Sequence, residues 1–344
     1  MTDIKKLLRE NIASLKPYSS ARHEFTGRGE VYLDANESPF ESELNRYPDP
    51  LQIEVKERIG QLNDLEPKQI FLGNGSDEAI DLLIRAFCEP NRDSILIFPP
   101  TYGMYKVSAD INAVQAVKAA LNTDFQLNRQ AVRHALNGSR VKLIFACSPN
   151  NPTGNRLNEE DIDWLLNLEN KIIILDEAYA DFAQPSISIA SRLNKHPNLV
   201  ILRTFSKAWG MAGARLGIAF ASTTIIEILN RIKPPYNINS LTQTAVLDAI
   251  NNPGMTLKRI ELVIGERHRC ARLLNEIEVV EHIFPSDANF LLVKFRDAEY
   301  IFRKLISKGI IVRDRQSEIP GCLRITIGTP DENDKLLYAL NNLS

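Results

Sequence analysis

Short uninterrupted apolar runs alternate along this chain with segments whose apolar residues recur at helical spacing. Gln69 to Leu72, Ser94 to Phe98, Val141 to Ala146, Ile172 to Leu175, Leu199 to Leu202 and Leu216 to Ala221 are each strand-sized. Asp77 to Cys88 and Glu159 to Leu168 lie between them and read as helices. Runs that are apolar on both faces suit strands covered by helices on each side, and strand–helix alternation builds a mainly parallel sheet. The pattern therefore predicts an α/β fold with a helix-sandwiched, mainly parallel sheet.

The two ends read differently. The start, MTDIKKLLRENIASL, is amphipathic and predicts one helix, followed by a polar, proline-broken stretch VYLDANESPF. From about 255 a long helical pattern runs through Ile277. NFLLVKF then predicts a strand, Ala298 to Lys308 a helix, and GIIVR and LRITIG two further strands. Strand, helix, strand, strand predicts a smaller α+β domain that the N-terminal segment joins. The boundaries follow as 41–252 for the large domain, with 1–40 and 253–344 forming the smaller one.

Composition narrows the function. Forty-one basic residues against 43 acidic ones leave a formal charge of −2 over 344 residues, so there is no electrostatic footprint for a nucleic acid. Cys88, Cys147, Cys270 and Cys322 are scattered, without the spacing that closes a zinc site. The start lacks the apolar core of a signal peptide, and no apolar run reaches the length of a membrane span. The expectation is a cytoplasmic protein acting on a small ligand, with neither metal nor membrane as partner.

In open α/β sheets ligands bind at the carboxyl ends of strands, so the residues following each apolar run carry the chemistry. Gly73-Asn74-Gly75-Ser76-Asp77-Glu78 is a glycine turn opening onto a helix, where free N–H groups and the helix dipole suit a phosphate. Ser76 and Asp77 are equally good helix caps, so the two readings stand side by side. Ser148 to Gly154 is a turn-rich loop held out of helix by two prolines. Asp176 ends an apolar run, where an acid requires a cation or proton donor beside it. Lys207, flanked by Phe205, Ala208 and Trp209, reads as a partly desolvated amine able to form a Schiff base. With Tyr102, Asn151, Tyr179, Ser206 and Arg215 these positions suit an aromatic cofactor with one phosphate, a pyridine nitrogen and an aldehyde, which are the needs of pyridoxal 5′-phosphate. A nicotinamide dehydrogenase is the rival, but its fingerprint wants a third glycine where Glu78 stands. A transaminase-like regulator would need a DNA-binding module for which no length remains.

LDANESPF, RYPDP, GNGSDEAI, PPTYGMY, SPNNPTG, LDEAY, TFSKAWGMAGARLG and GCLRITIG occur in this order over nearly the whole chain. Together they resemble the histidinol-phosphate aminotransferases of the fold type I, class I/II pyridoxal-phosphate transaminases. The resemblance implies a seven-stranded large-domain sheet and a ping-pong reaction. Amino-group transfer would interconvert imidazole-acetol phosphate plus L-glutamate with L-histidinol phosphate plus 2-oxoglutarate. It implies Lys207 as the Schiff-base lysine, Asp176 as partner of the pyridine nitrogen, and Asn151 and Tyr179 as donors to the ring hydroxyl. Tyr102 would stack on the ring, and Gly75, Ser76, Asp77, Ser206 and Arg215 would cup the phosphate. Tyr47 would reach that cup from the neighbouring subunit of a homodimer. Arg324 would clamp the α-carboxylate and Arg313 the substrate phosphate, with Asn36 and the N-terminal Tyr18 completing the substrate site. Threonine-phosphate decarboxylases and aromatic amino-acid transaminases are similar to this family and share those cofactor residues.

Overall fold

The computed structural model describes residues 2–16, 31–185 and 188–343. Its seven-stranded sheet is built from β1 (Ile70–Asn74), β2 (Ser94–Ile97), β3 (Gln115–Lys118), β4 (Val141–Cys147), β5 (Ile172–Asp176), β6 (Leu199–Thr204) and β7 (Leu216–Ala221), in the order β1-β7-β6-β5-β4-β2-β3. Neighbours from β6 to β3 pair in parallel, and β7 runs antiparallel to both β1 and β6. Alternate residues along each strand feed two separate cores. Ile70, Leu72, Ile144, Ile173 and Ile201 face one side, and Phe71, Leu143, Phe145, Ile174 and Val200 the other. This two-faced burial is why the strands read as continuous apolar runs.

A four-stranded antiparallel sheet forms the smaller domain: β8 (Val280–Ile283), β9 (Phe290–Phe295), β10 (Arg313–Asp314) and β11 (Cys322–Thr326), ordered β10-β11-β9-β8. Helices Gly254–Leu274, Ala298–Ser307 and Pro330–Asn341 bury Leu274, Ile301, Leu305 and Leu340 in its core. The last is started by chemistry legible in the sequence: Thr329 and Glu332 form a capping box around Pro330 at its first turn.

Three expectations are corrected. The N-terminal stretch makes two short helices, Ile4–Leu7 and Glu10–Ala13, because Leu8 and Arg9 adopt extended backbone between them. Ile4 and Leu7 are buried in the core of the large sheet, not in the smaller domain, and Arg9 pairs with Glu89 at 3.2 Å. GIIVR forms a strand only from Arg313, since Ile311 is 77% exposed with no sheet partner.

Two glycines decide how these parts meet. Gly217, in β7 opposite Gly73, lies under the turn that leaves β1, and a Cβ there would stand 2.0 Å from Ser76 N and 2.1 Å from the Gly75 carbonyl carbon. Gly154 adopts φ +85°, and a Cβ on it would stand 2.6 Å from Ser286 Oγ of the smaller domain. Gly217→Ala is expected to destabilise the fold by at least about 2 kcal/mol, because two backbones cannot yield as a flexible side chain would. Denaturant unfolding checks this, and a loss under about 0.5 kcal/mol would show that the strands separate freely.

Candidate active site

Because β7 is reversed, its start lies beside the ends of β1 and β6: Leu216 pairs with Asn74, and Gly217 with Thr204. The segments following β1 and β6 and preceding β7 therefore converge on one cavity of about 400 Å³. Gly75, Ser76 and Asp77 enter it at the N-terminus of helix Ser76–Phe87, and Ser206, Lys207 and Arg215 from the β6–β7 connection. Asn151, Asp176 and Tyr179 reach it from the segments that end β4 and β5, and Tyr102 from the loop after β2. Arg313, Arg315 and Arg324 close it from the smaller sheet.

Asp176 is buried at the cavity floor. Its carboxylate accepts from Tyr105 Oη at 2.6 Å and from the Ala178 N–H at 3.0 Å. Desolvation raises its pKa above the ordinary carboxylate range, while these hydrogen bonds pull it back down. Tyr105 stacks on Phe145, 5.0 Å between ring centroids, which fixes its hydroxyl beneath the acid. Nothing in the sequence singled out Tyr105; it belongs to the apolar face of helix Met104–Ile111, where a tyrosine reads as core.

Lys207 opens onto the cavity with its Nζ 5.7 Å from the centre of the Tyr179 ring. Partial desolvation, reinforced by the Arg324 charge, lowers its pKa from the usual lysine value. Such an amine reaches its neutral, nucleophilic form at a lower pH than a surface lysine does. At the anion end, Gly75 N–H donates to Arg215 O at 2.6 Å, and the Arg215 guanidinium stands 3.7 Å from Asp77. Arg215 itself adopts φ +55°, a left-handed turn that returns its side chain over Gly75. Tyr102 Oη donates to Asp77 at 3.0 Å, tying the aromatic to the same cup.

The far end is cationic. Arg313 and Arg324 face one another across the β10–β11 pairing. Arg324 donates to Asn151 Oδ1, Asn151 donates to Tyr179 Oη at 3.3 Å, and the Arg324 guanidinium lies 5.1 Å from the Phe290 ring centre. Arg315 is the third arginine of this wall, and sequence reading missed it because only the tight turn after β10 directs it inward.

Of the expected site residues, Asn36 and Tyr47 fall outside the cavity lining of their own chain. Asn36 is exposed and outside the cavity lining. Tyr47 is half exposed and stacks on Tyr236, 4.4 Å between centroids, away from the cavity of its own chain. The strap carrying it is anchored by Lys233, whose Nζ donates to Pro50 O at 2.8 Å, Pro235 O at 2.9 Å and Asn237 Oδ1 at 3.0 Å. Tyr18 lies outside the described residues.

With this geometry in hand, comparison with known proteins is decisive: the family model for aminotransferase class I and II matches residues 31–340. The chain belongs to the class I and II aminotransferases. Histidinol-phosphate aminotransferases are among its curated relatives. That of Parabacteroides distasonis is 49% identical over 100% of this chain and 99% of its own length, and that of Bacteroides fragilis strain YCH46 is 48% identical over 99% of each. Among solved structures, the histidinol-phosphate aminotransferase of Clostridium acetobutylicum superposes with a TM-score of 0.80 at 27% identity, over 87% of this chain and 91% of that one. The Sinorhizobium meliloti enzyme, solved in complex with pyridoxal-5′-phosphate, gives 0.80 at 22% over 87% and 83%, a likeness of fold. Fold type I aminotransferases are pyridoxal-phosphate enzymes, and this chain is a transaminase of that class.

Since Arg324 helps depress Lys207, Arg324→Gln removes a positive neighbour and favours the ammonium form. The pH at which half of the cofactor-free protein's Lys207 reacts with a neutral acylating reagent is expected to move upward. Peptide mapping across a pH series measures it, and a midpoint that stays or falls would show the two charges to be uncoupled.

Proposed function

We propose that this aminotransferase interconverts imidazole-acetol phosphate and L-glutamate with L-histidinol phosphate and 2-oxoglutarate, by a ping-pong reaction that uses pyridoxal 5′-phosphate. One observation carries the reading: a single cavity is lined by a lysine of lowered pKa, a buried acid and three arginines from the smaller sheet. The donor set fits the cofactor. Ser76, Ser206, Arg215 and the free N–H groups of the helix start make a phosphate cup, and the absent side chain of Gly75 leaves room for the Arg215 guanidinium. When bound there, pyridoxal phosphate supplies an aldehyde that exchanges between lysine and substrate amines, and a ring that spreads the charge left on the α-carbon.

The remaining chemistry belongs to the chain. Asp176 holds a proton on the pyridine nitrogen, and Tyr105 Oη keeps the carboxylate oriented for it. Asn151 and Tyr179 donate toward the ring hydroxyl, and Tyr102 covers a ring face. Lys207 Nζ, once free, takes the substrate α-proton as general base and returns it as general acid. Arg324 fits a carboxylate bidentately, and Arg313 extends the positive wall toward a substrate phosphate. Asn36 and Tyr18 belong to the substrate side of the same reading.

A homodimer follows as part of the proposal. Tyr47 is half exposed on its own chain, stacked on Tyr236, and Phe40, Leu44 and Leu241 are further exposed apolar side chains that a second copy would cover. In that assembly Tyr47 completes the phosphate cup of the neighbouring subunit.

The L-threonine-O-3-phosphate decarboxylase of Porphyromonas gingivalis shares the fold, with a TM-score of 0.74 at 21% identity. No residue of the cavity favours decarboxylation over transamination, and the full-length relatives at 46–49% identity favour the latter. Purified protein given histidinol phosphate and 2-oxoglutarate is expected to release glutamate, and carbon dioxide from threonine phosphate would overturn the assignment. Lys207→Ala is expected to lower turnover by at least about 10³-fold with the thermal transition preserved; activity within tenfold of the parent would remove Lys207 from the reaction.

A further inference from the structure

Arg315 occupies a position that neither Arg313 nor Arg324 duplicates. Arg315 lines the cavity, and its Nη1 lies 3.0 Å from Glu318 Oε1. The pairing is built into a tight turn. The N–H groups of Glu318 and Ile319 both donate to Arg315 O, at 3.0 and 2.8 Å, while Arg315 N–H donates to Cys322 O at 3.1 Å. Arg315 Nε is buried and, among the described residues, has no hydrogen-bond acceptor; the same holds for Arg324 Nε. Two arginines that line the cavity thus each keep one enclosed donor unspent, and one of those guanidinium groups is already engaged by a carboxylate of the chain itself.

We propose that Arg315 is a specificity-determining residue that favours substrates ending in a phosphate dianion over those ending in a carboxylate, with Glu318 as a built-in carboxylate competitor. A substrate tail takes Arg315 Nη1 only by displacing Glu318. A carboxylate tail exchanges one charge-assisted bond for its equal and gains little. A phosphate brings about −1.5 to −2 charge and three acceptor oxygens, enough to take Nη1 and the idle Nε together. Glu318 is partly exposed, with 37% of its side chain accessible, so on displacement its carboxylate returns to water at small cost. One cavity can then hold a phosphorylated amine firmly and release a dicarboxylate readily, as a two-substrate cycle requires. The inference rests on the proposed phosphate-bearing substrate.

The test uses holoenzyme and single-turnover half-reactions with histidinol phosphate, histidinol and glutamate. Arg315→Gln is expected to raise the apparent Kd for histidinol phosphate by about tenfold or more, with the limiting rate and both other substrates within about 1.5-fold. In a Glu318→Gln background, the same arginine change is expected to weaken glutamate by about threefold, because the competitor is gone. A purely structural role would shift all substrates together and show no such coupling. Equal losses on all three substrates, unchanged histidinol phosphate binding, or a glutamate effect that is the same in both backgrounds each overturn the proposal. Should the parent fail to turn over histidinol phosphate, the functional reading falls, and inorganic phosphate decides about Arg315. Its inhibition of the glutamate half-reaction must weaken about tenfold in Arg315→Gln, and undiminished inhibition refutes the role.

Discussion

The whole site depends on one strand that runs against its neighbours. In an all-parallel sheet the segment preceding β7 would emerge at the opposite edge from the ends of β1 and β6. Reversal brings it to the same edge, and Gly217 allows the Gly75–Ser76 backbone to lie directly on it. Lys207, Arg215 and the helix start then share one space although they arise from separate parts of the chain. The hydrogen bond from Gly75 N–H to Arg215 O closes this junction. Without that contact the cationic, anionic and aromatic groups would be three unrelated surface features.

Charge within the cavity is unbalanced in a useful way. Lys207, Arg215, Arg313, Arg315 and Arg324 face Asp77 and Asp176 there. On a chain that is nearly neutral overall, this makes a local positive well that draws in anions without attracting polyanions to the outer surface. Each negative group has its own partner: Asp176 is on the floor above the Tyr105 hydroxyl, and Asp77 is beside Arg215. The distribution divides the cavity into a reacting half and a recognising half.

Strands buried on both faces were legible because nothing polar interrupts them, as in Ile172–Asp176. Gln115–Lys118 and Val280–Ile283 were not, since both are edge strands with half-exposed, polar or charged sequences such as QAVK and VEHI. The polar residues that end β1, β4, β5 and β6 were found because strand ends are where ligands bind. Tyr105 and Arg315 escaped for different reasons. A tyrosine within a helix announces nothing about the acid it supports, and the aim of Arg315 is set by a turn whose closing partner, Cys322, is seven positions away. The N-terminal residues were grouped with the wrong core because amphipathic spacing shows that a face is buried, not against what.

The contact between Gly154 and Ser286 bears on how such an enzyme changes its diet. It joins the loop that carries Asn151 to the sheet that carries the arginines, and a single hydrogen atom fills the space between them. The separation between the bond-making centre and the tail-binding wall is thus set partly by a seam outside the cavity, together with the Arg324–Asn151 hydrogen bond within it. Longer or shorter molecules become accommodable by padding or trimming that seam, so a lineage can retune its ruler while every residue touching the reactants stays as it was.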